Sequence, residues 1–282
     1  MPEITAELVR ELREKSGAGM MDCKKALEAT GGDFEGAFDH LRKQGLKTAE
    51  KKAGRATGEG RVYAVVSDDQ RSGAMVNVSC ETDFVAKTPD FEAFLDALCR
   101  AALEHSPADV AELTGKPWKQ GGTVDDALKA LVGRLGENIQ VAAVARFENS
   151  EGRVGAYVHH DMKKAALASV TTGADTDTAR ETLRDLCMHV VVFRPGALDR
   201  EAVPRDRLER ERAIYREEVK DKPDDIRERI LGGKLEKFFA ETVLTEQPWI
   251  RDDKLSVKSA VERALGTGTR IEAYARFQVG EA

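Results

Sequence analysis

The hydrophobic positions of this chain first fall into three short helical patterns. Leu8, Val9 and Leu12 share one helical face behind Thr5, a good N-cap, and Ser16-Gly17-Ala18-Gly19 breaks the pattern. Asp22 is placed to cap a second helix carrying Ala26 and Leu27, which Gly31-Gly32 stops. Phe34, Ala37, Phe38 and Leu41 then recur at i, i+3, i+4 and i+7 behind Asp33. Three helices of this size make a marginal core by themselves. Residues 47–60 are charged, contain glycine and lack an apolar period, so they read as a linker.

Strands and helices alternate from there in two rounds. Val62, Val65 and Val66 begin a strand, Ser72-Gly73 closes the turn, and Met75 to Cys80 form a second strand. Thr88 and Pro89 announce a helix whose Phe91, Phe94, Leu95 and Leu98 line one face. Another helix spans residues 124–135 and ends at Gly136. A second round is expected to open with strands at 141–147, 154–159 and 165–170, followed by a helix over 178–192. The last strand is the clearest: Ile271, Ala273, Ala275, Phe277 and Val279 alternate with Glu272, Tyr274, Arg276 and Gln278. Between them, residues 206–239 read as two charged helices broken at Lys222-Pro223-Asp224, an antiparallel hairpin. The pattern is α+β, with strand-strand-helix recurring in each half.

Composition narrows the class. With 282 residues, 41% of them hydrophobic, a net charge of -6 and a pI near 5.6, the chain reads as a soluble acidic protein of two or three modules. That balance argues against nucleic acid as the main partner. Residues 1–55 hold eleven Lys and Arg against ten Asp and Glu, a net of only +1, so Lys47, Lys51, Lys52 and Arg55 read as a solvated surface. No run approaches the roughly 18 apolar residues of a membrane helix, and no signal peptide is visible, so a cytoplasmic protein is expected. The four cysteines, Cys23, Cys80, Cys99 and Cys187, are widely spaced and suit reduced thiols better than a disulfide framework or zinc site.

Candidate catalytic chemistry is sparse. There is no phosphate-binding loop of the G-x-x-x-x-G-K-[ST] kind. His159 and His160 adjoin, and as strand neighbours they would point to opposite faces, unable to chelate one metal. Cys80 beside Glu81 lacks a histidine at motif spacing and reads as a core thiol. Glu81 and Asp83 make no convincing acid pair. No metal and no cofactor are expected. Phe84, beside Asp83 on the connection between a strand and a helix, reads either as core folded over the helix or as a projection into a partner; most phenylalanines are core. Met20 and Met21 divide the same way, as core or as adaptable thioethers on a partner surface.

Two segments carry a specific resemblance. Thr82-Asp83-Phe84-Val85-Ala86 is similar to the hallmark pentapeptide of the elongation factor Ts family, the guanine-nucleotide exchange factors of elongation factor Tu. Leu12-Arg13-Glu14-Lys15-Ser16-Gly17-Ala18-Gly19-Met20-Met21-Asp22-Cys23-Lys24-Lys25-Ala26-Leu27 resembles the family's first signature almost residue for residue. Leu244-Thr245-Glu246-Gln247-Pro248-Trp249 resembles its Leu-x-x-Gln-Pro-aromatic segment, and the likeness runs more weakly from about Ile4 to Val279.

The resemblance implies an α+β fold: a ubiquitin-associated-like three-helix domain over residues 1–55 with a linker to about 60, then a core of two similar subdomains, 61–140 and 141–282. The helical hairpin at about 206–239 is inserted into the second. It implies a non-enzymatic factor that binds elongation factor Tu, displaces Mg²⁺ from that partner and promotes GDP release, itself touching neither nucleotide, nucleic acid nor membrane. Thr82, Asp83, Phe84 and Val85 would form the wedge, and Leu12, Arg13, Met20, Met21, Leu135, Gly136 and His159 would contact the partner. The alternative is a binding adaptor without exchange activity, or a cytosolic enzyme with an unrecognised site. The chain departs from the family pattern at His160-Asp161-Met162-Lys163-Lys164, where relatives carry glycine, in the alanine-rich strand that follows, and in the bulky Val190-Val191-Val192-Phe193.

Overall fold

The computed structural model describes residues 4–281. The elements run α1 (Ala6–Ser16), α2 (Met20–Ala29), α3 (Phe34–Lys52), β1 (Glu59–Val66), β2 (Ser72–Cys80), α4 (Asp83–Ala86), α5 (Pro89–His105), α6 (Val110–Gly115), α7 (Val124–Leu135), β3 (Ile139–Glu148), β4 (Gly152–Val158) and β5 (Lys164–Thr171). They continue with α8 (Thr176–Phe193), α9 (Arg205–Glu218), α10 (Asp224–Thr242), β6 (Pro248–Trp249), β7 (Asp252–Ser256), α11 (Val257–Leu265) and β8 (Arg270–Gln278). The fold is α+β, as the alternating patterns predict. Among the described residues no helix is long and apolar enough to cross a membrane.

The chain divides into two compact units. One comprises residues 1–63, 76–144 and 278–282, the other residues 64–75 and 145–277. β1, β2 and β3 contribute residues to both.

In the first unit, α1 to α3 close a small core of Val9, Leu12, Cys23, Ala26, Leu27 and Ala37. Gly17, at φ 66, terminates α1 in the left-handed conformation that a side chain resists. The cap of α2 is Gly19 and not Asp22, which lies in the first turn of the helix, where its charge suits the positive end of the dipole. The expected linker from residue 47 is also corrected. α3 continues to Lys52, and residues 47–52 are its last turns. Of residues 47–52 only Ala49 is buried, so no apolar period marks this stretch; just before it α3 packs against α7. There the two backbones meet at Gly45 and Gly133: a Cβ built on Gly133 would lie 2.7 Å from the Cα of Gly45. Two glycines at the crossing replace the ridge-and-groove contact that larger residues would announce in the sequence.

The sheet order is β1-β2-β3. β3 therefore completes the first sheet instead of opening the second round. β2 is the reason: every residue from Gly73 to Cys80 is buried, so it is the central strand and needs a neighbour on each side.

The second unit holds the sheet β4-β5-β8. β4 and β5 are antiparallel, from Gly152 opposite Thr171 to Val158 opposite Ala165. The alanines of β5 have a physical purpose. Ala165, Ala166 and Ala168 are fully buried, and α8 lies so close that a Cβ on Gly155 of β4 would sit 2.4 Å from the Cβ of Leu183. Small residues let the helix approach the sheet. The turn that departs from the family pattern puts Met162 at φ 54, a left-handed conformation in which glycine is the unstrained residue. At the end of α8, Val190 and Val191 are buried while Val192 and Phe193 are exposed, and the Phe193 ring stacks on His189 at 4.5 Å.

The hairpin is formed by α9 and α10. α9 buries none of its residues, and the apolar contacts gather at the base, where Phe238 and Phe239 join Ala197, Val203 and Val243. Arg200 bridges Glu236 and Glu246 there, at 2.6 Å to each.

Candidate functional site

β2 ends at Cys80, and the chain turns through Glu81 into α4, a single helical turn. The sequence pattern places Asp83 and Phe84 on the connection between strand and helix; residues 83–86 of that connection are helical, a turn too short for periodicity to reveal, and Thr82 gives it a cap. Its Oγ1 accepts a hydrogen bond from the N–H of Val85. The turn continues directly into α5: the Thr88 hydroxyl donates to the Val85 carbonyl at 2.8 Å and accepts from the N–H of Phe91 at 3.3 Å.

On so short a turn the faces are sharply divided. Val85 and Ala86 face inward and are buried. Phe84 points out and is 80% exposed. Asp83 pairs with Lys87 at 2.6 Å, while Glu81 faces away toward other partners, so the two carboxylates form no pair. Of the two readings of Phe84, the core one is excluded. Phe91, on the helix that follows, is the fully buried aromatic of this region.

Two of the anchoring residues, Glu137 and Asn138, are ones the sequence patterns did not single out. α7 ends at Gly136, in the left-handed region at φ 75, and the chain reverses into Glu137-Asn138. The Glu137 carboxylate accepts two bonds from Thr82: from the backbone N–H at 3.0 Å and from the hydroxyl at 2.6 Å. The backbone N–H of Asn138 donates to Glu81 at 2.7 Å, and that bond, more than any other influence, holds the Glu81 carboxyl below its ordinary range; Arg55, at 3.4 Å, adds to the effect. The Asn138 side chain donates to the carbonyls of Ala53 and Arg55, at 3.3 and 2.7 Å, and Lys52 donates to the carbonyl of Gly136. The only hint in the sequence is an acid and an amide directly after a helix-ending glycine.

The remaining candidate residues are dispersed. Met20 and Met21, in the first turn of α2, are 44% and 61% exposed. Arg13 is exposed on α1. Leu12 is wholly buried in the three-helix core, so its contribution is packing, and it presents no surface to a partner. Leu135 is half-buried and Gly136 exposed. The α1–α2 turn comes up to the end of α7: a Cβ on Gly17 would lie 3.0 Å from Cδ of Arg134. His159 belongs to the other unit; it is half-buried, with Nδ1 3.1 Å from the Tyr157 hydroxyl. His159 and His160 do not diverge as strand neighbours would. β4 stops at Val158, and in the turn beyond it the two rings lie 4.3 Å apart.

The chemistry that this arrangement offers is presentation of a surface. Cys80 is buried, and burial with the nearby Glu137 charge pushes its thiol up to about 11, so it is a poor nucleophile near neutral pH. All four cysteines are buried and none is in a disulfide. Among the described residues, no group of three or more His, Cys, Asp or Glu side chains is arranged to hold a metal ion.

Comparison with known proteins agrees in family across nearly the whole chain. The sequence model of the family described as Elongation factor TS matches residues 81–281. The chain is 40% identical to the elongation factor Ts of Clostridium botulinum (strain Eklund 17B / Type B), over 99% of this chain and 93% of that protein. It is 39% identical to that of Thioalkalivibrio sulfidiphilus, over 99% and 92%, and 38% identical to that of Prosthecochloris aestuarii, over 99% and 100%.

Proposed function

Since this chain belongs to the elongation factor Ts family of translation factors, we propose that it binds elongation factor Tu and promotes GDP release by displacing the partner's Mg²⁺ and distorting its nucleotide site, so that GTP can rebind. The observation that carries this reading is Phe84, a large aromatic held 80% exposed on a capped turn that is fixed at both ends. Such a side chain gains most from burial when it enters a partner.

The mechanism is one of coupled binding. A factor that binds the nucleotide-free partner more tightly than the nucleotide-bound one must, by reciprocity, be loosened by nucleotide. Accelerating release a thousandfold requires about 4 kcal/mol off the barrier. Mg²⁺ is a suitable target, because its octahedral coordination tolerates little displacement of its ligands. In this assignment Thr82, Asp83, Phe84 and Val85 form the wedge: Phe84 inserts, Asp83 accompanies it, and Thr82 and Val85 hold the turn. Arg13, Met20 and Met21 dock residues 1–55 on the partner, with Leu135, Gly136 and His159 as further contacts. The factor makes and breaks no covalent bond, and its place of action is the cytoplasm.

The direct test is the release of a fluorescent GDP from purified elongation factor Tu. Release accelerated by catalytic amounts of this protein is the expected result; tight binding with unchanged release would leave an adaptor. The hairpin lies outside the proposed exchange surface. Replacing residues 206–232 with a short linker removes the half-buried Leu208 and Tyr215 and the buried Val219, but leaves Phe238 and Phe239 at the base. This variant is expected to melt somewhat earlier and to retain most exchange activity. Complete loss of exchange in the folded variant would place the hairpin in the exchange interface.

A further inference from the structure

We propose that Glu137 is the positioning residue of the Phe84 wedge, its carboxylate fixing the direction in which the aromatic ring is presented; this rests on the exchange reading above. The need for such a residue comes from the size of α4. Four residues make one turn, and one turn is the unfavourable nucleus of a helix, with too few backbone bonds to hold itself. Left to itself the turn would fray, and an exposed Phe84 would sample many directions. A wedge that has to be ordered on contact loses that ordering entropy from its binding, so a pre-formed one acts more strongly.

Glu137 removes the freedom at the point where it enters. Thr82 is the N-cap of α4, and both of its donors end on one carboxylate: N–H to Oε2 at 3.0 Å, O–H to Oε1 at 2.6 Å. The hydroxyl is thereby oriented so that its lone pairs face the turn, where they accept from Val85. A two-point contact to a charged acceptor fixes rotation as well as distance. Glu137 is itself set by the left-handed Gly136, whose N–H returns to the Val132 carbonyl at 2.9 Å. Beside it, the Asn138 N–H holds Glu81, one residue before the cap. Glu137 therefore acts through Thr82 and has no need to touch the partner.

The test is an epistasis measurement on the intact protein, with fluorescent GDP release from elongation factor Tu as readout. Glu137→Ala is expected to lower the maximal stimulated release rate about tenfold at saturating factor. Glu137→Gln should recover most of the rate: its oxygen can accept from the Thr82 N–H and its amide can donate to the Thr82 hydroxyl. In a Phe84→Ala background, Glu137→Ala should add little, since the group it positions is gone. Should Glu137→Ala fail to fold, Glu137→Asp, one methylene too short to span both donors, carries the same comparison. Normal exchange by Glu137→Ala, or by Glu137→Asp in its place, beside an impaired Phe84→Ala overturns the positioning role alone. A further tenfold loss on top of Phe84→Ala overturns it too, because Glu137 would then act independently of the wedge. If Phe84→Ala exchanges normally, the wedge reading itself falls, and any effect of Glu137 has another origin.

Discussion

Phe84→Ala is expected to leave the melting temperature of the free protein nearly unchanged while lowering stimulated GDP release thirtyfold or more. The two halves of this expectation come from one number, the 80% exposure of the ring. An exposed side chain supports almost nothing in the folded state, and its removal creates no cavity, so the stability change should fall within about 0.5 kcal/mol. The backbone of the turn is held by Thr82 and Thr88, which the substitution does not touch. An interface anchor of this type contributes about 2 kcal/mol or more, which is roughly thirtyfold if realised only in the transition state for exchange. Phe91 is the internal control. It is fully buried, and Phe91→Ala should cost about 3–5 kcal/mol of folding stability. Asp83→Ala should act in the same direction as Phe84→Ala, through loss of the Lys87 pair beside the wedge. A Phe84→Ala protein that melts early but exchanges normally when folded would refute the wedge.

The second large effect is expected at the crossing of α3 and α7, where chemically identical substitutions should have opposite signs. On Gly133 a Cβ would meet the Cα of Gly45 at 2.7 Å and its carbonyl carbon at 3.6 Å, backbone that cannot rotate away. Gly133→Ala must push the helices apart, at a cost of about 1–3 kcal/mol. On Gly45 the new Cβ would lie 3.9 Å from its nearest neighbours, ordinary contact. Gly45→Ala should therefore gain up to about 1 kcal/mol from helix propensity. Urea melts of both variants decide the matter; equal shifts in the same direction would show that the helices do not meet face to face. Gly133→Ala should impair exchange as well, because Lys52 at the end of α3 braces Gly136, and the carbonyls of Ala53 and Arg55 just beyond it brace Asn138.

What could be seen in the sequence follows from what burial writes into it. α5 buries one face over many residues, and its period was plain; β8 alternates in sequence, although its residues are only half-buried, on both faces from Ala273 on. The hairpin was visible through its charged, proline-broken pattern. The pentapeptide 82–86 was recognisable by resemblance, but not its geometry: a single turn has no period, and its cap, Thr82, is satisfied by a residue fifty-five positions away. The sheet membership of β3 depends on a hydrogen-bonding neighbour, which apolar spacing does not encode. The extension of α3 was hidden because only Ala49 of its residues 47–52 is buried, and one buried alanine leaves no apolar period. Met162 shows the reverse case. The absence of glycine from residues 160–164 was legible as a departure, and a left-handed residue stands in that segment all the same.

The first unit also sets an order of events during synthesis. Its sequence is interrupted by residues 64–75 and 145–277, and it is completed only by the segment that starts at Gln278, whose carbonyl receives the side-chain amide of Asn77 at 3.4 Å. A ribosome adding about 5–20 residues per second needs on the order of ten seconds to pass from Val144 to that segment. Throughout this interval the residues of the α4 turn, its Thr82 cap and Glu137 have all been synthesised, while the unit that carries them still lacks its closing piece. A nascent chain of this factor thus holds its exposed Phe84 turn before the unit that anchors the turn can close.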